Sequence, residues 1–66
     1  MSQLKKYRLI NNYTQKEMAE KLNISVPAYW NYESGKRIMP VDVLTKFLEL
    51  RGGKEDLKLI KILKEL

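Results

Sequence analysis

Asn31 carries a side-chain amide that can pair with the N6/N7 edge of adenine. Trp30 beside it has an indole that can lie along a thymine methyl or a sugar–phosphate edge, its N–H donating to a phosphate. Val26 and Pro27, just upstream, offer only shape and apolar contact. Tyr29 and Tyr32 follow Met18, Leu22 and Ile24 at helical spacing, which turns the tyrosines inward. Val26, Pro27, Trp30 and Asn31 are then the free outer side of a short helix. In a basic protein such a side is a candidate for the DNA major groove. The tyrosine hydroxyls are either wet tips of core aromatics or phosphate contacts at the rim. Trp30 has a second placement open to it, tucked against a neighbouring helix.

Composition narrows the chemistry further. The 66 residues carry a formal net charge of +5, which suits a polyanionic partner. Up to Pro40 the bases Lys5, Lys6, Arg8, Lys16, Lys21, Lys36 and Arg37 face only Glu17, Glu20 and Glu33. Beyond Pro40 bases and acids nearly balance, so the excess sits with the outward-facing helix. The chain has no cysteine and no histidine, which removes disulfides, thiolate chemistry, most zinc sites and imidazole catalysis. No carboxylates, lysines or tyrosines cluster as an acid–base pair, and Gly52-Gly53 is a helix stop rather than a phosphate-cradling loop. The expectation is a non-enzyme without metal or cofactor. No apolar run approaches the length of a membrane span, and a cytoplasmic location is expected.

The elements that must position these residues are legible from caps and breaks. Ser2 can cap a first helix bearing Leu4, Tyr7, Leu9 and Ile10, ended by Asn11-Asn12. Thr14 with Glu17 reads as a capping box for a second helix, Gln15 to Leu22, with Met18, Ala19 and Leu22 inward. Asn23-Ile24-Ser25 is the turn, with Asn23 at positive φ and Ile24 dropping into the core. Ser25 caps the third helix, Val26 to about Ser34, where Pro27 is harmless in the first turn and Gly35 supplies the stop. Pro40 opens a fourth helix to about Leu50, with Val41, Leu44, Phe47 and Leu48 as its apolar stripe. Arg51-Gly52-Gly53 breaks the chain before a fifth helix, Lys54 to Leu66. The spacing predicts one all-α domain over residues 1–66, a bundle of five helices.

This order resembles the Cro and repressor type of helix-turn-helix domain, the xenobiotic-response-element family, over Leu4 to Leu50. Tyr13-Thr14-Gln15, Met18-Ala19, Leu22 and Tyr32-Glu33-Ser34-Gly35-Lys36-Arg37 carry the resemblance. Asn23 departs from it, since glycine is usual at that turn. The resemblance implies a lambda-repressor-like fold with the helix-turn-helix in helices 2 and 3. It implies that Val26, Pro27, Trp30 and Asn31 enter the major groove. It also implies a partly buried ion pair between Arg8 and Glu33, and backbone contacts from Ser34, Lys36 and Arg37. Gln15 and Ser25, at the starts of the second and third helices, are further phosphate candidates through helix N-termini. Asn12 and Thr14 are weaker ones, while Lys5 and Lys6 contribute to the field.

The fifth helix is apolar on more than one side. Leu57, Ile60 and Leu63 lie to one side and Leu59, Ile62 and Leu66 to the other, with Lys54, Lys58, Lys61 and Glu65 as the polar strip. Part of that surface should pack on the domain, and the remainder is expected to join two copies. A twofold dimer would set two recognition helices about 34 Å apart on an approximately palindromic operator. The expected function is sequence-specific binding of double-stranded DNA by a bacterial or phage repressor acting as a homodimer. The alternative is a protein-interaction module of the same fold, an antitoxin-like partner binder.

Overall fold

Five helices follow one another in the computed structural model: α1 (Gln3–Ile10), α2 (Gln15–Leu22), α3 (Val26–Glu33), α4 (Val41–Arg51) and α5 (Lys54–Lys64). The structure describes residues 2–65, except for the side chains of residues 54–56. Each of the first three helices starts at a hydroxyl that satisfies otherwise orphaned N–H groups. The Leu4 N–H donates to Ser2 Oγ at 3.1 Å. The Glu17 N–H donates to Thr14 Oγ1 at 3.0 Å, while the Thr14 N–H donates back to Glu17 Oε1 at 2.9 Å, a reciprocal box. The Ala28 N–H donates to Ser25 Oγ at 3.2 Å. Pro40 gives α4 no such cap.

The stops are conformational. Asn23 ends α2 in the left-handed region, at φ 56° and ψ 46°, which asparagine tolerates better than other residues with a Cβ. Asn12 takes a similar φ of 57° between α1 and α2. Gly35 after α3 and Gly52 after α4 have φ of 82° and 66°.

The core gathers Leu4, Met18, Ala19, Leu22, Tyr29, Val43 and Phe47, with Tyr7, Tyr13, Ile24, Tyr32, Met39 and Leu50 packed around it. The Tyr7 and Phe47 rings meet edge to face at 5.7 Å between centroids, joining α1 to α4. Leu48 and Ile60, also buried, belong to α4 and α5, which pack on each other. The Lys64–Glu49 ion pair at 3.3 Å also spans these two helices, but both side chains are exposed and the pair adds little.

Two sequence expectations change here, in α4 and in α5. On α1, Leu9 and Ile10 are exposed. With Leu4 buried, the inner face of α1 continues through Tyr7 and Arg8 at i+3 and i+4, which leaves Leu9 and Ile10 off it. Val41 is half exposed and Val43 takes the core position. The inner stripe of α4 is Val43, Phe47 and Leu48, with Leu44 partly covered beside it, because 43 and 47 are one turn apart. Ile60, named above as a dimer candidate, is only 6 % exposed and belongs to the protein's own interior. Leu63 is partly buried, whereas Leu57, Leu59 and Ile62 remain exposed. Leu66 lies outside the described residues.

Candidate nucleic-acid interface

α3 is held from behind by α1 and α2. Ala19 on α2 is 1 % exposed, and its carbonyl accepts the Ile24 N–H at 3.0 Å as the chain turns toward α3. A small residue there lets two helices approach closely after so short a turn. Tyr29 is fully buried, so it fixes which side of α3 faces the core. Val26, Pro27 and Trp30 are exposed and Asn31 is half-buried. The outer side anticipated from spacing therefore presents these residues, and Trp30 is not tucked away, being 43 % exposed.

A polar cluster fixes the far end of α3. Arg8 Nε donates to Glu33 Oε2 at 2.9 Å and Arg8 Nη2 to Glu33 Oε1 at 3.1 Å, a bidentate pair. Arg8 Nη1 also donates to the Tyr13 carbonyl at 3.3 Å, tying α1, the α1–α2 connector and α3 together. Gln15 Nε2 donates to Glu33 Oε1 at 3.4 Å. Burial works to raise the Glu33 carboxyl. The hydrogen bonds from Arg8 and Gln15, the nearby Tyr29 hydroxyl and the Arg8 charge outweigh it and hold the carboxyl below its ordinary value. Hydrogen bonding to Glu33 is the largest reason that the Arg8 guanidinium is raised. The Tyr29 phenol is pushed up mainly by burial. Its hydroxyl sits close enough to Glu33 and Arg8 to feel both charges, yet makes no hydrogen bond of acceptable geometry.

Beyond α3 the chain folds back on the helix. Gly35 at φ 82° reverses it, and the Arg37 N–H donates to the Asn31 carbonyl at 3.1 Å. Ser34 Oγ donates to that same carbonyl at 3.3 Å. The reversal carries Lys36 over the indole of Trp30, with Nζ 4.4 Å from the ring centroid. Such a contact is worth about 0.5–1 kcal/mol at an exposed site. Ser34, Lys36 and Arg37 are all exposed, as is Ser25 at the start of α3.

Two contacts escaped the sequence. Gln15, expected at a phosphate, is half-buried with its amide turned to Glu33. Lys36 stacks on Trp30, and the only sequence signal was a glycine between them able to turn the chain. Among the described residues no group of acidic side chains could hold a metal ion, and no helix is long and apolar enough to cross a membrane.

No curated protein and no solved structure matches the chain. The family described as Helix-turn-helix matches residues 4–53, from the start of α1 to the glycines after α4. That span holds the α2–turn–α3 unit, the Arg8–Glu33 clamp and the basic loop. The chain belongs to the Cro/C1-type helix-turn-helix family of DNA-binding domains.

Proposed function

We propose that the protein is a sequence-specific transcriptional repressor that inserts α3 into the major groove of double-stranded DNA. One observation supports it most: with Tyr29 buried, α3 exposes Val26, Pro27 and Trp30 next to a loop bearing Lys36 and Arg37. In this reading Val26, Pro27, Trp30 and Asn31 meet base edges. Ser25, Ser34, Lys36 and Arg37 meet the phosphates, while Gln15 supports Glu33 behind them. Asn31 is the one amide among the base readers, so base-pair preference rests largely on apolar contact and on DNA shape.

Two copies would bind a near-palindrome, joined through the exposed Leu57, Leu59 and Ile62 of α5. Repression would follow from occupancy of a promoter. Selection from a randomised duplex library tests the whole reading. A symmetric enriched site, bound with an affinity that falls steeply with salt, is the expected result. Failure to enrich any sequence, or salt-independent binding, would favour a protein partner on the same surface.

A further inference from the structure

Lys36 and Trp30 enter the proposed function as separate contacts, one to phosphate and one to bases. The geometry joins them. The Gly35 reversal and the Arg37 N–H bond to the Asn31 carbonyl fix the loop against the last turn of α3, and Lys36 Nζ rests 4.4 Å above the indole centroid. The indole is 43 % exposed on α3, and the lysine covers part of it.

We propose that Lys36 and Trp30 form one recognition unit, in which the lysine ammonium clamps the indole in the orientation that α3 offers to the groove. Lys36 is then a positioning residue for sequence preference as well as a source of positive charge. The inference rests on the DNA-binding reading above and deepens it. A flat aromatic at a groove distinguishes base pairs only when its plane is fixed. A cation above one face fixes that plane and leaves the remaining exposed part of the ring for the groove. Closing the interface removes water from the pair, which strengthens a cation–π contact. Arg37, the next residue, stacks on no ring among the described residues and serves as the internal control.

Trp30 is the only tryptophan in the chain, so its emission reports the clamp without ambiguity. The full chain is compared with Lys36→Met, Lys36→Arg, Arg37→Met, Trp30→Leu and the Trp30→Leu/Lys36→Met double variant. The first measurement is indole emission of the free protein, expected to change with Lys36→Met and to stay put with Arg37→Met. The second is affinity for the duplex that the wild-type chain enriches and for all its single-base variants. Lys36→Met is expected to flatten the preference at the base pairs sensitive to Trp30→Leu, by about two- to fivefold. Lys36→Arg should restore that preference, and the double variant should discriminate no worse than Trp30→Leu. Arg37→Met should instead lower affinity evenly across the panel.

An even loss for Lys36→Met, with preference intact, would make Lys36 an ordinary phosphate anchor and overturn the unit. Unchanged indole emission on Lys36→Met would do the same, because the clamp would be absent in solution. If the wild-type chain enriches no duplex, the DNA-binding reading itself falls and the recognition role of the pair with it. The emission result would then show only whether the contact exists.

Discussion

At the end of a helix the last carbonyls already carry partial negative charge, so a carboxylate there is poorly placed. Glu33 is the last residue of α3, and three side chains answer for it: Arg8 twice, Gln15 once, with the Tyr29 hydroxyl nearby. Because its folded carboxyl titrates lower than in the unfolded chain, the unfolded chain binds more protons between the two values. The stabilisation is therefore fully present above about pH 4.3, the ordinary glutamate value, and is lost as the pH falls through the lower folded value. Glu33→Gln is expected to cost about 1.5–3 kcal/mol at pH 7 in urea unfolding. The gap to wild type should narrow as the pH falls below that value. A constant gap would show that the charge on Glu33 contributes nothing. Tyr29→Phe probes the same cluster from the inside. Its hydroxyl is buried without a well-formed hydrogen bond, so the phenylalanine should be neutral or stabilising by up to about 1 kcal/mol in the same assay. A clear loss of stability would mean that the hydroxyl is bonded in solution.

On the scale of elements, the direction in which α3 is presented depends on how closely it sits against α2. Ala19 is 1 % exposed in the α2 wall behind it. Ala19→Leu would overpack this contact, with an expected loss of about 1–3 kcal/mol in thermal or urea unfolding. DNA affinity should fall by more than the unfolded fraction accounts for, because α3 would be displaced as well. The capping network was legible beforehand. Ser2, Thr14 with Glu17, and Ser25 are local chemistry, satisfied within a few residues of where they stand. The apolar stripes were less legible. Val41 and Val43 are alike in the sequence, and a helix whose partner is unknown can be rotated by part of a turn without violating its pattern. Contact with the core selected Val43.

For the whole molecule, α5 divides into an inner and an outer side. Ile60 is buried in the interior, while Leu57, Leu59 and Ile62 face outward. The two roles separate by experiment. Ile60→Ala should destabilise the fold by about 2–5 kcal/mol in urea unfolding. Ile62→Lys should leave the unfolding midpoint of the monomer close to wild type but lower the molecular mass measured by static light scattering at high concentration. It should also weaken binding to a two-half-site duplex far more than to a single half-site. Equal losses on both duplexes, or a wild-type protein that is monomeric with and without DNA, would remove α5 from the assembly.

The chain by itself determined what is short-range. The hydroxyl caps, the left-handed stop at Asn23, the proline in the first turn of α3 and the inward Tyr29 all depend on neighbours within one or two turns. Those patterns were enough for the five helices and for the family, and they named Val26, Pro27, Trp30 and Asn31 as the outer side. The tertiary structure decided what depends on meeting across the fold. It turned Gln15 to Glu33, gave Ile60 to the interior and left Leu9 and Ile10 outside. It also brought Lys36 back over Trp30. That last contact needed the angle of the Gly35 reversal and the hydrogen bond from Arg37 to Asn31, neither of which is written in residue spacing. The face seen first as four side chains is therefore better described as a face with a cation resting on its one large ring.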